Sequence, residues 1–234
     1  MQQRDDLESA CRNTIASAMR ELGLKSRVLR PFKPTTTQAD PCKRPAENIL
    51  QQDFNVDQPN QKWVTDITYI DTDTGWVYMA AVMDCFSRKV VGWSISHSLS
   101  TELVCGALHD AIEKRRPNLH NNELLHHSDR GSQYTSDAYQ KMLKTLGIAC
   151  SMSRTGCCYD NAAMERLIWS VKQKWTNHHS YADLADARSS IFQYIEMFYN
   201  RKRIHQKLGY MTPEQYEAKY EKAKTVHAPE DYVA

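Results

Sequence analysis

The chain has 234 residues, enough to bury the core of one good-sized domain with extensions. With 41% hydrophobic residues, 25% charged residues and a net charge of +2, its composition is that of an ordinary globular protein and does not by itself indicate a nucleic-acid partner. The first twenty residues carry six charges and no apolar stretch approaches the ~20 residues of a membrane span, so we expect no signal peptide, no transmembrane helix and a cytoplasmic location.

The charge is unevenly distributed along the chain. Residues 63–165 hold 9 Lys and Arg against 12 Asp and Glu, whereas residues 166–224 hold 11 against 6. An acidic centre followed by a basic arm suits a metal site beside a phosphate-binding surface, although a merely solvated basic helix explains the second half equally well. The seven cysteines form no CxxC pair, which favours reduced thiols over a structural zinc site.

The first part of the chain changes character twice. Residues 7–24 have apolar residues at helical spacing and end at Gly23, so we expect an N-terminal helical segment within residues 1–30. Residues 31–61 are rich in proline and polar residues without a clear period. This composition predicts a linker that lies on the surface of the next domain.

The following region predicts an α/β domain at residues 62–200. Three segments rich in β-branched and aromatic residues are joined by short turns, which favours an antiparallel meander. Apolar helical stripes then alternate with short strands, which favours parallel strands joined by helix crossovers. The expected strands are 62–70, 76–86, 87–96, 123–128 and 148–153, and the expected helices are 100–116, 136–147, 161–177 and 183–200.

Three acidic residues of this domain lie at positions that indicate a metal or ligand site. Asp66 lies on the same strand face as Val64 and Ile70, where a lone buried carboxylate is unfavourable unless it is paired or bound to a metal. Asp129 directly follows the strand at 123–128, at the kind of strand end where ligand sites gather in α/β sheets. The alternative for Asp66 is a solvent-facing strand residue, and the alternative for Asp129 is a simple Asp-Arg-Gly turn.

The third acid, Glu165, lies on the helix that begins near Asp160 or Asn161, either of which can cap it. Asn161 is four residues before Glu165 and Lys172 seven after, so the three share one helix face. An ordinary exposed helix glutamate is the alternative. Taken together, three carboxylates suit Mg²⁺ or Mn²⁺ rather than zinc, and two such ions about 3.5–4 Å apart support phosphoryl transfer.

Asp66, Asp129 and Glu165, with 35 residues between the last two, resemble the DDE triad of transposases and retroviral integrases. The segments "WVTDITYI", "HSDRGSQYTS", "SMSRTGCCYDNAAMER" and "FYNRKRIHQKLGYMTPEQYE" are similar to the integrase-type core encoded by the second reading frame of bacterial insertion sequences of the IS-three type. The resemblance covers roughly residues 60–220. It implies an RNase H-like core, with a five-stranded mixed sheet flanked by helices.

The resemblance also implies an activity. Asp66, Asp129 and Glu165 would be the catalytic residues and would hold two Mg²⁺ (or Mn²⁺) ions. The enzyme would cleave the ends of the element by hydrolysis and use the exposed 3′-OH for strand transfer into target DNA, without a covalent protein–DNA intermediate. The residues expected to contact DNA are Arg154, Asn161, Lys172, Arg201, Arg203, His205 and Lys207.

The basic C-terminal extension, residues 201–234, has a second interpretation. Lys and Arg can neutralise phosphates and aromatic residues can stack on bases, but "LGYMTPEQY" can equally dock back on the core. His126 and His127 are expected to pack at a strand end rather than to bind a metal.

Family members usually carry a fuller helix-turn-helix-like segment before the core. The short N-terminal region therefore suggests a partial product that needs an upstream-frame DNA-recognition protein. A homodimer or larger assembly on DNA, associated with the nucleoid, is expected on family grounds. The alternatives to an active transposase are a catalytically inactive DNA-binding or regulatory remnant, and an RNase H-like nuclease that acts on RNA–DNA hybrids.

Overall fold

The computed structural model describes residues 11–24, 45–117 and 123–226. It separates into two compact units, with the boundary between Lys33 and Pro34. The first unit contains α1 (Arg12–Glu21), which is followed by Gly23 at φ 65°. This agrees with the predicted helix stop, because glycine adopts a left-handed backbone without a steric penalty. The predicted helix residues 7–10 and linker residues 31–44 lie outside the described residues.

A five-stranded mixed sheet forms the centre of the second unit, as the sequence predicts. Its strands are β1 (Lys62–Thr72), β2 (Gly75–Asp84), β3 (Val90–Ser96), β4 (Leu125–Ser128) and β5 (Ala149–Met152). Their order across the sheet is β3-β2-β1-β4-β5. β1 pairs with β2 and β2 with β3 in antiparallel fashion, whereas β4 runs parallel to β1 and β5 parallel to β4.

Helices cover both faces of the sheet. α2 (Thr101–Arg115) and α3 (Asp137–Thr145) pack with Trp63 on one face, and α4 (Ala162–Lys174) and α5 (Leu184–Phe192) pack with Val64 on the other. Because side chains alternate along a strand, neighbouring residues of β1 contribute to two separate cores. The almost continuous apolar run of β2 has the same cause, since this strand is buried on both faces.

Gly92 on β3 allows α2 to approach the sheet closely. A Cβ atom at Gly92 would lie 2.4 Å from the carbonyl oxygen of Ala107 and 2.4 Å from the amide nitrogen of Ala111. Both contacts are with helix backbone, which cannot rotate away as a side chain can. Only glycine therefore fits at this position.

The structure differs from the predicted elements in three places. α4 follows a 3₁₀ turn at Cys158–Asn161, and α5 continues as a wider π-helical stretch at Gln193–Tyr199. Residues near the end of the predicted linker enter the core, where Leu50 is 1% exposed and its amide donates to Oγ of Ser151.

The C-terminal region contains a further helix that the sequence analysis does not predict, α6 (Pro213–Val226). Glu217 on α6 accepts a 2.9 Å hydrogen bond from Arg115 on α2, and Arg115 also pairs with the buried Asp84 at 3.2 Å. This network docks the first part of the basic extension on the core. In the described ranges, none of the helices is long and apolar enough to cross a membrane.

Candidate active site

Asp66 lies on β1 and points to the side of the sheet that α4 covers. It shares this face with Val64 and Ile70, both buried in the core that includes α4. Its Oδ1 accepts a 2.8 Å hydrogen bond from the amide of Ile67. Burial and the neighbouring carboxylate of Asp129 raise the pKa of Asp66 to about 8, and Glu165 adds to the effect.

Asp129 directly follows β4, which is the neighbour of the central strand β1 that carries Asp66. Val64 on β1 pairs with His127 on β4 in the parallel ladder. Two residues further along both segments, the same register places Asp129 opposite Asp66. The carboxylate of Asp129 accepts a 2.9 Å hydrogen bond from the amide of Gly131, which holds the turn after the strand. Parallel pairing of β1 and β4 thus brings two acids together that are well separated in the chain.

Glu165 lies in the first turn of α4, and its side chain is exposed. The start of this helix is attached to the sheet by Asn161, whose Nδ2 donates a 2.9 Å hydrogen bond to the carbonyl oxygen of Thr65. Thr65 directly precedes Asp66, so one side-chain hydrogen bond connects the backbone beside one acid to the helix that carries another. Neither Asp160 nor Asn161 caps α4 through its side chain, contrary to the expectation.

The three acids face a single cavity of about 440 Å³, which we call the carboxylate cavity. The residues that line it are Asp66, Asp129, Arg130, Ser153, Arg154, Thr155, Gly156, Cys157, Asn161 and Glu165. Among the described residues, no three His, Cys, Asp or Glu side chains approach closely enough to hold a metal ion together. The structure therefore brings the predicted triad to one cavity but does not close it into a coordinating cluster.

The chemistry of the cavity still fits a hard divalent cation. Its acids offer oxygen donors, which Mg²⁺ and Mn²⁺ prefer. Oδ1 of Asn161 is a further oxygen, buried and without a hydrogen-bond partner in the described structure. A buried oxygen is expected to have a partner, and a cation bound beside the carboxylates would supply one.

Asp160 organises the loop between β5 and α4, a role that the sequence analysis does not assign. Its buried carboxylate accepts hydrogen bonds from the amide, Nε and Nη2 of Arg154 at 2.8, 3.1 and 3.0 Å. Gln52 and Asn48 each donate a further bond of 2.8 Å. The hydrogen bonds from Arg154 hold the pKa of Asp160 well below its usual range. Two of its partners, Asn48 and Gln52, are more than 100 positions away in the chain, so no local pattern indicates this role.

The predicted DNA contacts divide into three groups in the structure. Arg154 and Asn161 line the carboxylate cavity. Lys172 does not line it, but its Nζ lies 3.4 Å from the centre of the Tyr69 ring, and burial lowers its pKa to about 8. The remaining four residues, Arg201, Arg203, His205 and Lys207, follow the π-helical stretch. Arg203, His205 and Lys207 line a second cavity, and Arg201 pairs with Glu214 at 3.7 Å.

His126 and His127 have the packing role expected of them. Both are buried, and burial lowers their pKa to about 3 and about 4. His127 lies 2.8 Å from Oγ of Ser151 and 3.0 Å from Oγ of Ser153, and His126 lies 3.0 Å from the hydroxyl of Tyr139. These contacts join β4 to β5 and α3.

Comparison with known proteins identifies the family of the chain. Two family models described as "Integrase core domain" match residues 56–158 and 146–213. The chain is 42% identical over 207 residues to "Transposase InsF for insertion sequence IS3A" of Escherichia coli (strain K12), covering 88% of this chain and 70% of that protein. It is 38% identical over 209 residues to "Insertion element IS600 uncharacterized 31 kDa protein" of Shigella sonnei, covering 89% and 75%.

Solved structures show the same fold at lower identity. The HTLV-2 integrase catalytic core domain in complex with magnesium, in its dimeric form, superposes with a TM-score of 0.52 at 18% identity, covering 68% of this chain and 97% of that one. The catalytic core domain of BIV integrase gives a TM-score of 0.50 at 17% identity, covering 71% and 99%. The expected RNase H-like fold is therefore confirmed. With its integrase core and its identity to the IS3 proteins, the chain belongs to the transposases of IS3-type insertion sequences.

Proposed function

We propose that Asp66, Asp129 and Glu165 are the metal-binding catalytic carboxylates of this transposase, acting in DNA strand cleavage and 3′-OH strand transfer. The observation that carries the proposal is their convergence on one cavity from β1, the end of β4 and the first turn of α4. The raised pKa of Asp66 supports it, because burial and the neighbouring carboxylate of Asp129 both favour protonation of this acid when no cation is bound.

Two Mg²⁺ or Mn²⁺ ions are the cofactor we propose. Asp66 would hold them from β1 and Asp129 from the turn after β4, and Glu165 would complete the site from α4. When bound, the ions would activate the attacking oxygen and stabilise the leaving one.

The reaction that fits the site is phosphoryl transfer in two steps. In the first, a water oxygen bonds to phosphorus and the bond from phosphorus to the 3′ oxygen breaks, which leaves a 3′-OH. In the second, this hydroxyl attacks a target phosphorus and displaces another 3′ oxygen. Arg130 and Arg154 on the cavity wall would bind the phosphate oxygens, and Asn161 would hold α4 in register with β1.

DNA contacts outside the cavity are also part of the proposal. Lys172 and the basic residues Arg201, Arg203, His205 and Lys207 would position element ends and target DNA. The proposal also includes a homodimer or larger assembly that holds two element ends. It further includes an upstream-frame DNA-recognition partner and a cytoplasmic, nucleoid-associated location. The dimeric form of the HTLV-2 integrase core supports an assembly of this kind here. A catalytically inactive remnant is not favoured, because all three acids face the same cavity.

Strand transfer with duplexes that carry the terminal repeats of the element tests the proposal. We expect activity that requires Mg²⁺ or Mn²⁺ and that is abolished in Asp129→Asn and Glu165→Gln. Glu113→Gln is the matched control for the helix acid, because Glu113 is an exposed glutamate of α2 outside the cavity. Activity that survives Asp129→Asn would overturn the assignment.

Metal binding gives a second readout that does not depend on turnover. Calorimetric titration with Mn²⁺ should detect binding to the wild-type protein and much weaker binding to Asp129→Asn, with Glu113→Gln unchanged. Equal binding by all three proteins would place the metal elsewhere.

A further inference from the structure

A second cavity, of about 420 Å³, lies beside the first part of α4 and is strongly basic. Its lining includes Arg88, Arg166, Arg203 and Lys207, and none of the described residues that line it is an aspartate or a glutamate. The volume falls within the ~300–1,000 Å³ range of ligand sites, so it can hold more than a single phosphate group. We call it the basic cavity.

Helix α4 connects the basic cavity to the carboxylate cavity. Asn161 and Glu165 line the carboxylate cavity, whereas Ala162, Arg166 and Leu167 line the basic one. Consecutive helix residues point about 100° apart, so Glu165 and Arg166 project from one turn into two different cavities. A polymer bound in one cavity would therefore pass within about a helix width of the other.

The positive charges of the basic cavity are not neutralised by the protein. Within the described residues, no carboxylate forms an ion pair with Arg88, Arg166, Arg203 or Lys207. Arg166 instead lies 4.5 Å from the ring centre of Trp169, and Arg88 lies 5.9 Å from that of Phe54. These ring contacts leave guanidinium donors available.

Arg203 is held in place by its neighbours. Its Nη1 lies 2.7 Å from Nε2 and 3.0 Å from Nδ1 of His205, and its guanidinium lies 5.2 Å from the ring centre of Tyr199. Burial, together with the charges of Arg203, Arg88 and Lys174, lowers the pKa of His205 to about 3, so this ring is neutral and accepts from Arg203. Nε of Arg203 is buried and has no partner in the described structure.

The cationic side chains in and beside the basic cavity therefore repel one another. Burial and the charge of Arg88 lower the pKa of Lys207, and burial with the charges of Arg203 and Arg166 lowers that of Lys174. A bound anion would relieve this repulsion and give a partner to the unpaired Nε of Arg203. Arginine is suited to this task because its planar group donates two hydrogen bonds to phosphate.

We propose that the basic cavity binds a phosphodiester of the DNA backbone away from the bond being cut, with Arg166, Arg203 and Arg88 as its ligands and His205 as the positioning residue of Arg203. The inference rests on the proposed function in assuming that the polyanion is DNA. DNA is favoured over an acidic protein because α4 also carries Glu165, so one backbone can contact both cavities. In the basic cavity His205 acts through Arg203, because its ring accepts from Nη1 of Arg203.

The experiment measures DNA binding without turnover. Binding of a fluorescein-labelled duplex of about 30 base pairs and arbitrary sequence is followed in EDTA over a series of salt concentrations. Arg166→Gln and Arg203→Gln should each weaken binding by about fivefold and reduce the slope of log K against log [salt] by about 0.9, the value for one lost phosphate contact. Arg188→Gln is the matched control, because Arg188 is an exposed arginine whose Nη2 donates to the carbonyl of Ile95, outside both cavities.

Arg203→Lys separates charge from folding. The lysine variant keeps the positive charge and should retain most of the DNA affinity. If Arg203→Lys and Arg203→Gln both lose affinity and both have a lowered melting temperature, Arg203 has a structural role and the assignment is overturned. Unchanged affinity and salt slope in Arg166→Gln and Arg203→Gln would also overturn it. Competition by a polyglutamate peptide that is stronger than competition by unlabelled duplex would identify an acidic protein as the occupant instead.

Failure of this inference can be told from failure of the proposed function. If the inference alone is wrong, strand transfer by the wild-type protein still depends on Asp129, while the salt slope of Arg166→Gln is that of the wild type. If the proposed function alone is wrong, strand transfer is absent, while the metal-free slope still falls by about 0.9 in Arg166→Gln.

Discussion

The hydrogen bond from Asn161 to the carbonyl oxygen of Thr65 offers a direct test of how α4 is placed. Asn161 is 5% exposed and Thr65 is 1% exposed, so the 2.9 Å bond is shielded from water. Asn161→Ala removes the donor and leaves the buried carbonyl without this bond, which should lower the free energy of unfolding by about 1–3 kcal/mol. The truncation also frees the first turn of α4, which carries Glu165.

We therefore expect the loss of activity to exceed the loss of folded protein. A domain of this size is stable by about 5–15 kcal/mol, so a change of 1–3 kcal/mol leaves almost all molecules folded at 25 °C. If the bond positions Glu165, strand transfer per folded molecule should fall at least about tenfold, which corresponds to about 1.4 kcal/mol of lost transition-state stabilisation. Urea unfolding followed by tryptophan fluorescence and a single-turnover strand-transfer assay measure the two quantities.

Gln140→Ala is the matched control for this experiment. Gln140 also donates a side-chain amide to a backbone carbonyl, that of Tyr134 at 2.7 Å, but it does not line the carboxylate cavity. Its truncation should cost a similar amount of stability and leave strand transfer per folded molecule unchanged. The reasoning is refuted if Asn161→Ala and Gln140→Ala lose stability and activity in the same proportion.

Three further predictions concern the core. Gly92→Ala should destabilise by about 3 kcal/mol or more, because its Cβ would lie 2.4 Å from the helix backbone. The new Cβ of Gly106→Ala would meet only Ser94, at 3.0 Å from its Oγ, which can rotate away, and at 3.3 Å from its Cβ, so this variant should change stability by less than about 1 kcal/mol when urea unfolding compares the two. The pKa of His126 is lowered to about 3, against 6.5 in the unfolded chain, so the unfolded chain binds a proton that the folded protein does not. The contribution of this residue to the free energy of unfolding should fall by about 1.6 kcal/mol as the pH drops from 6.5 to 5, with a shallower slope in His126→Gln. Arg115→Ala leaves the carboxylate of Asp84 buried without its cation and should lower the free energy of unfolding by about 3 kcal/mol or more, with earlier proteolysis of α6.

Each of these has a clear contrary outcome. Equal unfolding free energies for the two glycine variants would show that α2 can move away from β3 without penalty. A pH slope that His126→Gln leaves unchanged would assign the acid sensitivity to other groups. An Arg115→Ala protein with the wild-type unfolding curve would mean that the network around Glu217 does not hold α6.

Local patterns in the sequence are sufficient for much of the architecture. Side-chain alternation on β1 places Asp66 on the face opposite Trp63, and the apolar run of β2 reports burial on both sides, because a strand has a period of two whatever surrounds it. The stop at Gly23 follows in the same way from the backbone freedom of one residue. The segments that flank the three acids resemble the integrase-type core, and this resemblance predicts that Asp66, Asp129 and Glu165 belong to one site; in the structure the three line one cavity.

Local patterns in the sequence do not predict every element of the structure. The π-helical stretch after Phe192 lies inside a segment predicted as an ordinary helix. Helix α6 is not predicted although local signals favour it, since Thr212 and Gln215 form the reciprocal hydrogen bonds of a capping box. Only its docking depends on distant residues, such as Arg115, which donates to Glu217. The entry of Leu50 into the core has the same origin, since its amide partner Ser151 is 101 positions away.

What only the tertiary structure decided is how separated residues combine in space. The sequence by itself determined the residue types and the face or strand end on which Asp66, Asp129 and Glu165 stand. Folding decided that they share a cavity without closing on one another, and that Asp160 holds the loop beside them. It also decided that Arg88, Arg166 and Arg203 line a common cavity. Their meeting is set by the packing of α4 on the sheet, and no period or spacing in the chain encodes contacts between residues so far apart.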